Sequence, residues 1–140
     1  MPGIVVLLAD DPIGATRERA DLGGYEAAFA AIDADSSHLL LVVDEGPGSR
    51  LAATLQLSFV PGLSRGGMLR AQLEGVRVAD GHRGSGLGSG LLEVVTALAE
   101  ERGAGLVQLT TDLRRSDAIR FYEAAGYERT HAGLKLRLPR

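Results

Sequence analysis

Hydrophobic and polar positions along the chain change period several times, and each change predicts an element. Ile4 to Leu8 is a short branched and aliphatic run that reads as a buried strand, ended by Asp10-Asp11-Pro12. Asp11 is placed as an N-cap and Pro12 as the first residue of a helix that Gly23-Gly24 breaks, after which Tyr25, Ala28, Phe29 and Ile32 recur at helical spacing. His38 to Val43 predicts a strand and Asp44 to Ser49 a turn. Leu51, Ala53, Leu55, Leu57 and Phe59 alternate with Thr54, Gln56 and Ser58, the pattern of a hairpin strand with one buried face. Pro61 to Gly67 is a loop and Met68 to Val78 the next strand. Then the period lengthens: Leu87, Leu91, Val94, Val95 and Leu98 predict a helix to about Arg102, closed by Gly103. Leu106 to Thr111 is a strand, Ser116 to Ala125 a helix closed by Gly126, and Leu134, Leu136 and Leu138 alternate as a last strand. The strand-helix-strand crossover requires a parallel pair beside the hairpins, so the expected fold is α/β (α+β) with a mixed sheet.

At 140 residues, with no repeat or linker, residues 1–140 are expected to form one domain. The net charge of -3 argues against a partner bound by bulk charge, so nucleic acid is not expected. No cysteine is present, which removes disulfides, thiolate metal sites and cysteine-linked intermediates. No apolar run approaches the roughly 20 residues of a membrane helix and no basic segment precedes Gly3 to Ala9, so the expectation is a cytoplasmic protein without a membrane partner. Lys135 is the one lysine among fifteen basic side chains, and its strand pattern points it to water.

The most informative stretch is Val76-Arg77-Val78-Ala79-Asp80-Gly81-His82-Arg83-Gly84-Ser85-Gly86-Leu87-Gly88-Ser89-Gly90, a strand entering a helix through a turn with alternate glycines. Open amides at the positive end of a helix make an anion site, and glycines let a pyrophosphate approach closely. The plainer alternative is a surface turn. A dinucleotide fingerprint needs a sixth-place glycine, but Ser89 or Leu91 stands there, and no lysine followed by Ser or Thr is present for a triphosphate loop.

Arg83-Gly84-Ser85-Gly86-Leu87-Gly88 resembles the pyrophosphate motif of the GNAT superfamily of N-acetyltransferases, an Arg followed by x-x-Gly-x-Gly. Asp117 to Tyr127, with Ala118, Phe121, Tyr122 and Gly126 at the motif positions, is similar to the block that closes these enzymes. The resemblance implies a mostly antiparallel central sheet flanked by about four helices. It implies acetyl-coenzyme A as donor, no metal, and direct transfer to a primary amine in a ternary complex. Val76 and Val78 would pair with the pantetheine arm, Val76 would offer an amide to the oxyanion, and Arg83, Gly84, Ser85, Gly86, Leu87, Gly88 and Ser89 would hold the pyrophosphate.

Tyr122 is the candidate acid for the leaving thiolate, since a phenol of reference pKa about 10 stays protonated while a thiol near 8.5 leaves. Glu74, two residues before Val76, is the candidate base, with a solvated strand glutamate as its alternative. His82 is expected to face solvent or phosphates, and His38 and His131 have no motif around them. Arg77 reads as a solvated strand residue, and Asp112, at the end of a strand near the cleft, is a minor candidate that could read an ammonium. Arg115 stands where many relatives carry an Asn that binds the pantetheine arm, which puts that contact in doubt; Arg114 and Arg115 read first as a solvated pair. The acceptor expected is a small-molecule amine, with a protein or peptide amine and a non-catalytic acyl-coenzyme A sensing module as alternatives. Many family members pair, and the exposed end of the sheet is the expected homodimer surface.

Overall fold

A computed structural model of the chain describes residues 2–10, 13–19, 21–46 and 50–139. Its contacts cluster into two compact units, Met1–Leu109 and Thr110–Arg140. In the first, α1 (Pro2–Ala9), a 3₁₀ turn (Gly14–Thr16) and α2 (Gly23–Asp33) precede β1 (His38–Asp44) and β2 (Leu51–Val60). A single turn, α3 (Ser64–Gly67), leads to β3 (Arg70–Val78), and a second 3₁₀ turn (Asp80–His82) leads to α4 (Leu87–Glu101) and β4 (Leu106–Leu109). The second unit holds α5 (Ser116–Ala124).

The sheet order is β1-β2-β3-β4, with two antiparallel pairs and a parallel β3–β4 pair joined through α4. This is the mixed, mostly antiparallel α/β arrangement expected. Leu55, Leu57 and Leu73 from one sheet face and Val95 from α4 are the largest fully buried side chains. Arg102, just past α4, lies 4.6 Å from the Phe59 ring centroid, which fixes α4 over that face.

Three expectations change. Ile4 to Leu8 is helical, within α1, and not a strand. A short apolar run bears either period; here Pro2 stands at the first helical position and Val5 and Leu7 are buried. The α1 helix packs on β2 and β3, with Gly3 facing Leu51 and Leu8 facing Gly75. The proposed cap Asp11 and Pro12 lie outside the described residues, and the chain after them forms only the 3₁₀ turn, so Gly23-Gly24 opens α2 and does not break a longer helix. Residues 134–138 pair with no described strand, and Leu134, Leu136 and Leu138 are exposed, so the last predicted strand is absent from the described residues.

The β2 strand also departs from its pattern. Ala52, Thr54 and Ser58 are as buried as Leu55 and Leu57, so both faces of this inner strand are covered, and α1 packs on it. Thr54 satisfies its hydroxyl by donating from Oγ1 to the Leu41 carbonyl across the pair, at 3.0 Å.

Candidate active site

Two features of β3 shape the site. Its register against β2 shifts between Thr54 and Gln56, and Gly75 sits there at φ 63°, a left-handed conformation that suits a bulge. Its pairing with β4 runs only from Arg70↔Leu106 to Leu73↔Leu109. Beyond that point the β3 edge from Glu74 to Val78 pairs with no strand among the described residues, so the sheet opens along the residues expected to hold the pantetheine arm. The Val76 carbonyl accepts from Arg77 Nη1 at 2.8 Å, and the Val78 carbonyl from Arg83 Nε at 3.1 Å. Arg77 is half-buried and not the solvated strand residue expected. Glu74 is exposed next to the bulge.

The glycine-rich turn follows directly. Gly84 and Gly86 have φ of 79° and 87°, and a Cβ on either would meet no atom within 4 Å. The space beside them is therefore open, and their amides, with those of Leu87, Gly88 and Ser89, donate to no described residue. Gly90 N makes the first helical bond, to Gly86 O at 3.0 Å. This is a cradle of backbone donors at the start of α4, the arrangement that suits an anion. A cleft of about 660 Å³ lies against it, lined by Ser85, Gly86, Leu87 and Gly90, by Val43 and Asp44 at the end of β1 and by Glu45 just after it. Ser85 is turned inward: its amide and hydroxyl both donate to the His82 carbonyl.

Arg83 and His82 are tied down by groups that the sequence pattern does not show. Arg83 donates from Nη1 to Asp80 Oδ1 at 2.7 Å and from Nη2 to the Asp10 carbonyl at 3.2 Å, with Asp10 Oδ2 3.6 Å away. It fastens the turn to the end of β3 and to the residue after α1. His82 Nε2 lies 2.7 Å from Glu45 Oε1, which links the turn to the β1–β2 hairpin. That hydrogen bond holds the Glu45 carboxyl below its usual pKa.

In the second unit, Tyr122 is half-buried on α5, its ring edge-on to Phe121 at 5.2 Å and to Tyr127 at 5.6 Å. Gly126 at φ 98° ends the helix, and Tyr127 N donates to Tyr122 O at 3.0 Å. Burial pushes the Tyr127 phenol above its ordinary pKa. Asp112 is engaged by the Arg114 fork, with Nε to Oδ1 at 2.9 Å and Nη2 to Oδ2 at 2.8 Å, and Arg114 N also donates to Oδ1. Those bonds hold its carboxyl far below the usual range and leave it poorly placed to read an ammonium. Arg114 is thus exposed, as expected, but paired with Asp112, and Arg115 is half-buried at the start of α5.

The structure brings Glu74, Val76, Val78 and residues 83–89 together along one edge and turn. Tyr122 belongs to the other unit. Sequence reasoning passed over His38, whose Nδ1 lies 2.7 Å from Ser58 Oγ across the β1–β2 pair. No group of acidic and histidine side chains suited to a metal occurs among the described residues, nor is any of their helices long and apolar enough to cross a membrane.

Residues 6–127 match the model of the Acetyltransferase (GNAT) family. The chain belongs to that family. A 49-residue stretch is 43% identical to the aminoalkylphosphonate N-acetyltransferase of Salmonella typhimurium, and spans 35% of this GNAT chain and about a third (32%) of that enzyme. A solved Bacillus halodurans C-125 protein, described as a transcriptional regulator, is 41% identical with a TM-score of 0.90, over 96% of this chain and 91% of its own. A Trypanosoma brucei acetyltransferase is 25% identical with a TM-score of 0.79, over 98% and 92%.

Proposed function

We propose that this GNAT protein is an acyltransferase that moves an acetyl group from acetyl-coenzyme A to the primary amine of a small molecule, directly and within a ternary complex. The observation that carries the reading is the cradle of undonated amides at Gly84, Gly86, Leu87, Gly88 and Ser89, beside the open edge of β3. Glycine at 84 and 86 leaves free the space that a Cβ would fill, which fits a pyrophosphate against the backbone. Acetyl-coenzyme A supplies an acyl carbon activated as a thioester.

Residues of the chain then have distinct tasks. Val76 and Val78 offer their strand edge to the pantetheine arm, and the Val76 amide faces the carbonyl oxygen as negative charge develops on it. Arg83 keeps the cradle in shape, and its remaining N–H groups can face phosphate. Glu74 takes the proton of the attacking ammonium, the new C–N bond forms as the C–S bond breaks, and Tyr122 gives its proton to the departing sulfur. No covalent acyl-enzyme is needed, and no metal. We further place the protein in the cytoplasm as one catalytic domain of residues 1–140 that pairs as a homodimer, which sedimentation at micromolar concentration tests.

Release of free coenzyme A from acetyl-coenzyme A, followed with a panel of amines, polyamines, amino acids and peptides, tests the activity. Amine-dependent release with intersecting initial-velocity lines is the expected result. Ping-pong kinetics would overturn direct transfer. One observation favours a second reading: the 41% identical Bacillus halodurans protein is described as a transcriptional regulator. Tight coenzyme A binding with no thiol release across the panel would select a non-catalytic acyl-coenzyme A sensor.

A further inference from the structure

The two faces of the sheet differ in kind. Cross-strand neighbours share a face, and one row reads Leu39, Leu57, Leu73 and Leu109 from β1 to β4, all aliphatic. The next row, on the opposite face, reads His38, Ser58, Gln72 and Gln108, all polar. Gln56 and Glu74 are paired in the row beside it, on the same face. Ser58 is 5% exposed, and Gln56, Gln72 and Gln108 are half-buried.

A half-buried polar row is costly unless its groups find partners. Some are internal: His38 Nδ1 meets Ser58 Oγ at 2.7 Å, and Gln108 Nε2 donates to Gln72 Oε1 at 2.8 Å. That second bond leaves the Gln72 amide nitrogen as a donor and the Gln108 amide oxygen as an acceptor, neither of which bonds to a described residue. Side by side, one donor and one acceptor match a hydroxyl or an amide, which both give and accept a hydrogen bond. They do not match a second ammonium or an alkyl chain. Two arginines share this face by register: Arg70 reaches toward Gly62 in the β2–β3 connection, at 3.7 Å from a Cβ placed there, and Arg77 donates from Nη1 to the Val76 carbonyl.

Taking Glu74 as the residue that meets the amine, and so resting on the function proposed above, we infer that the Gln72–Gln108 pair, flanked by Gln56, is the specificity element for an acceptor carrying a neutral hydroxyl or amide group. Gln72 lies two residues from Glu74 on the same face of β3, a step of about 6.6 Å. The acceptor class is therefore a primary amine whose hydroxyl or amide stands roughly that distance from the nitrogen. A site that hydrogen-bonds a substrate hydroxyl strongly rejects the analogue lacking it.

The test compares 5-amino-1-pentanol with n-hexylamine, and with spermidine and 3-aminopropylphosphonate, by kcat/KM in the thiol-release assay. The parent is expected to favour the amino alcohol over the alkylamine at least tenfold. Q72L/Q108L removes both partners of the internal bond together, so neither is left unpaired, and it should cut that ratio at least tenfold while calorimetry shows unchanged coenzyme A affinity. Gln56→Leu carries the same test should the double variant not fold. An unchanged ratio in the variants, no preference in the parent, or a preference for spermidine or the phosphonate overturns the inference while leaving acetyl transfer standing. Coenzyme A binding with no amine-dependent release removes the proposed function itself, and this assignment with it.

Discussion

The Arg83–Gly90 turn and the Asp112–Tyr127 segment carry the two halves of the family signature, and they use their residues in opposite ways. In the turn, what faces outward is backbone. Gly84 and Gly86 supply conformation and space, while Arg83, His82 and Ser85 bond inward to Asp80, Glu45 and the His82 carbonyl. In the segment the chemistry sits in side chains: the Asp112–Arg114 fork and the edge-on Phe121, Tyr122 and Tyr127 rings. Substitutions in the turn should therefore act on donor binding through shape, and those in the segment on turnover through functional groups.

The largest effect that would break this division is at Tyr122. Tyr122→Phe keeps the ring and its edge contacts, and should lower kcat by roughly one to three decades with coenzyme A affinity unchanged by calorimetry. Parent-like turnover would make Tyr122 a packing residue only. Gly86→Val comes next. A branched side chain at φ 87° strains the backbone and fills the cradle, so coenzyme A binding should weaken by about tenfold or more, a size set by one or two charge-assisted bonds; unimpaired binding would refute the cradle. Because Arg83 bonds chiefly to protein atoms, Arg83→Ala should weaken coenzyme A several-fold, less than Gly86→Val, and a limited-proteolysis time course should show the turn loosened.

A smaller effect concerns pH. The carboxyl of Glu45 has a folded-state pKa below its unfolded value, so the hold of Glu45 on His82 is complete above the ordinary glutamate pKa of about 4.3 and is lost as pH falls through the depressed value. Protection of the 80–90 amides against exchange should thus persist at about pH 5 and fall below about pH 4, and Glu45→Gln should remove that step. Smallest of all, Gly90→Ala adds a Cβ that meets nothing within 4 Å in α4, and should raise stability by about 0.5–1 kcal/mol. A lowered melting temperature would mean that the helix start is not free to accept it.

What could be read from the sequence follows the same line. Periodicity located β1, β2, β3, α4 and α5 to within a residue or two, because the strands alternate in sequence and the two helices are closed by Gly103 and Gly126. It failed at Ile4 to Leu8, where the run is too short for a period to decide, and at Leu134 to Leu138, where alternation does not create a partner strand. The cradle was legible because only glycine serves at 84 and 86. The partners of Arg83, His82 and Asp112 were not, since Glu45 is far away in sequence and the Asp112–Arg114 spacing has no period of its own. The polar row of His38, Ser58, Gln72 and Gln108 was hidden for another reason: it exists only once four strands are set in register.

The short β3–β4 ladder has a dynamic consequence. β1, β2 and β3 are joined by local hairpins, whereas β4 meets β3 only after α4 has crossed over, and then through four residue pairs. In hydrogen exchange the amides of β2 should be the slowest in the sheet and those of β4 the first to open, as a separate low-stability unit. One wall of the gap is thus also the strand that opens most readily. A ligand that lies along the free edge of β3 would act as a missing fifth strand, and its arrival should be recorded as slowed exchange at Leu106 to Leu109.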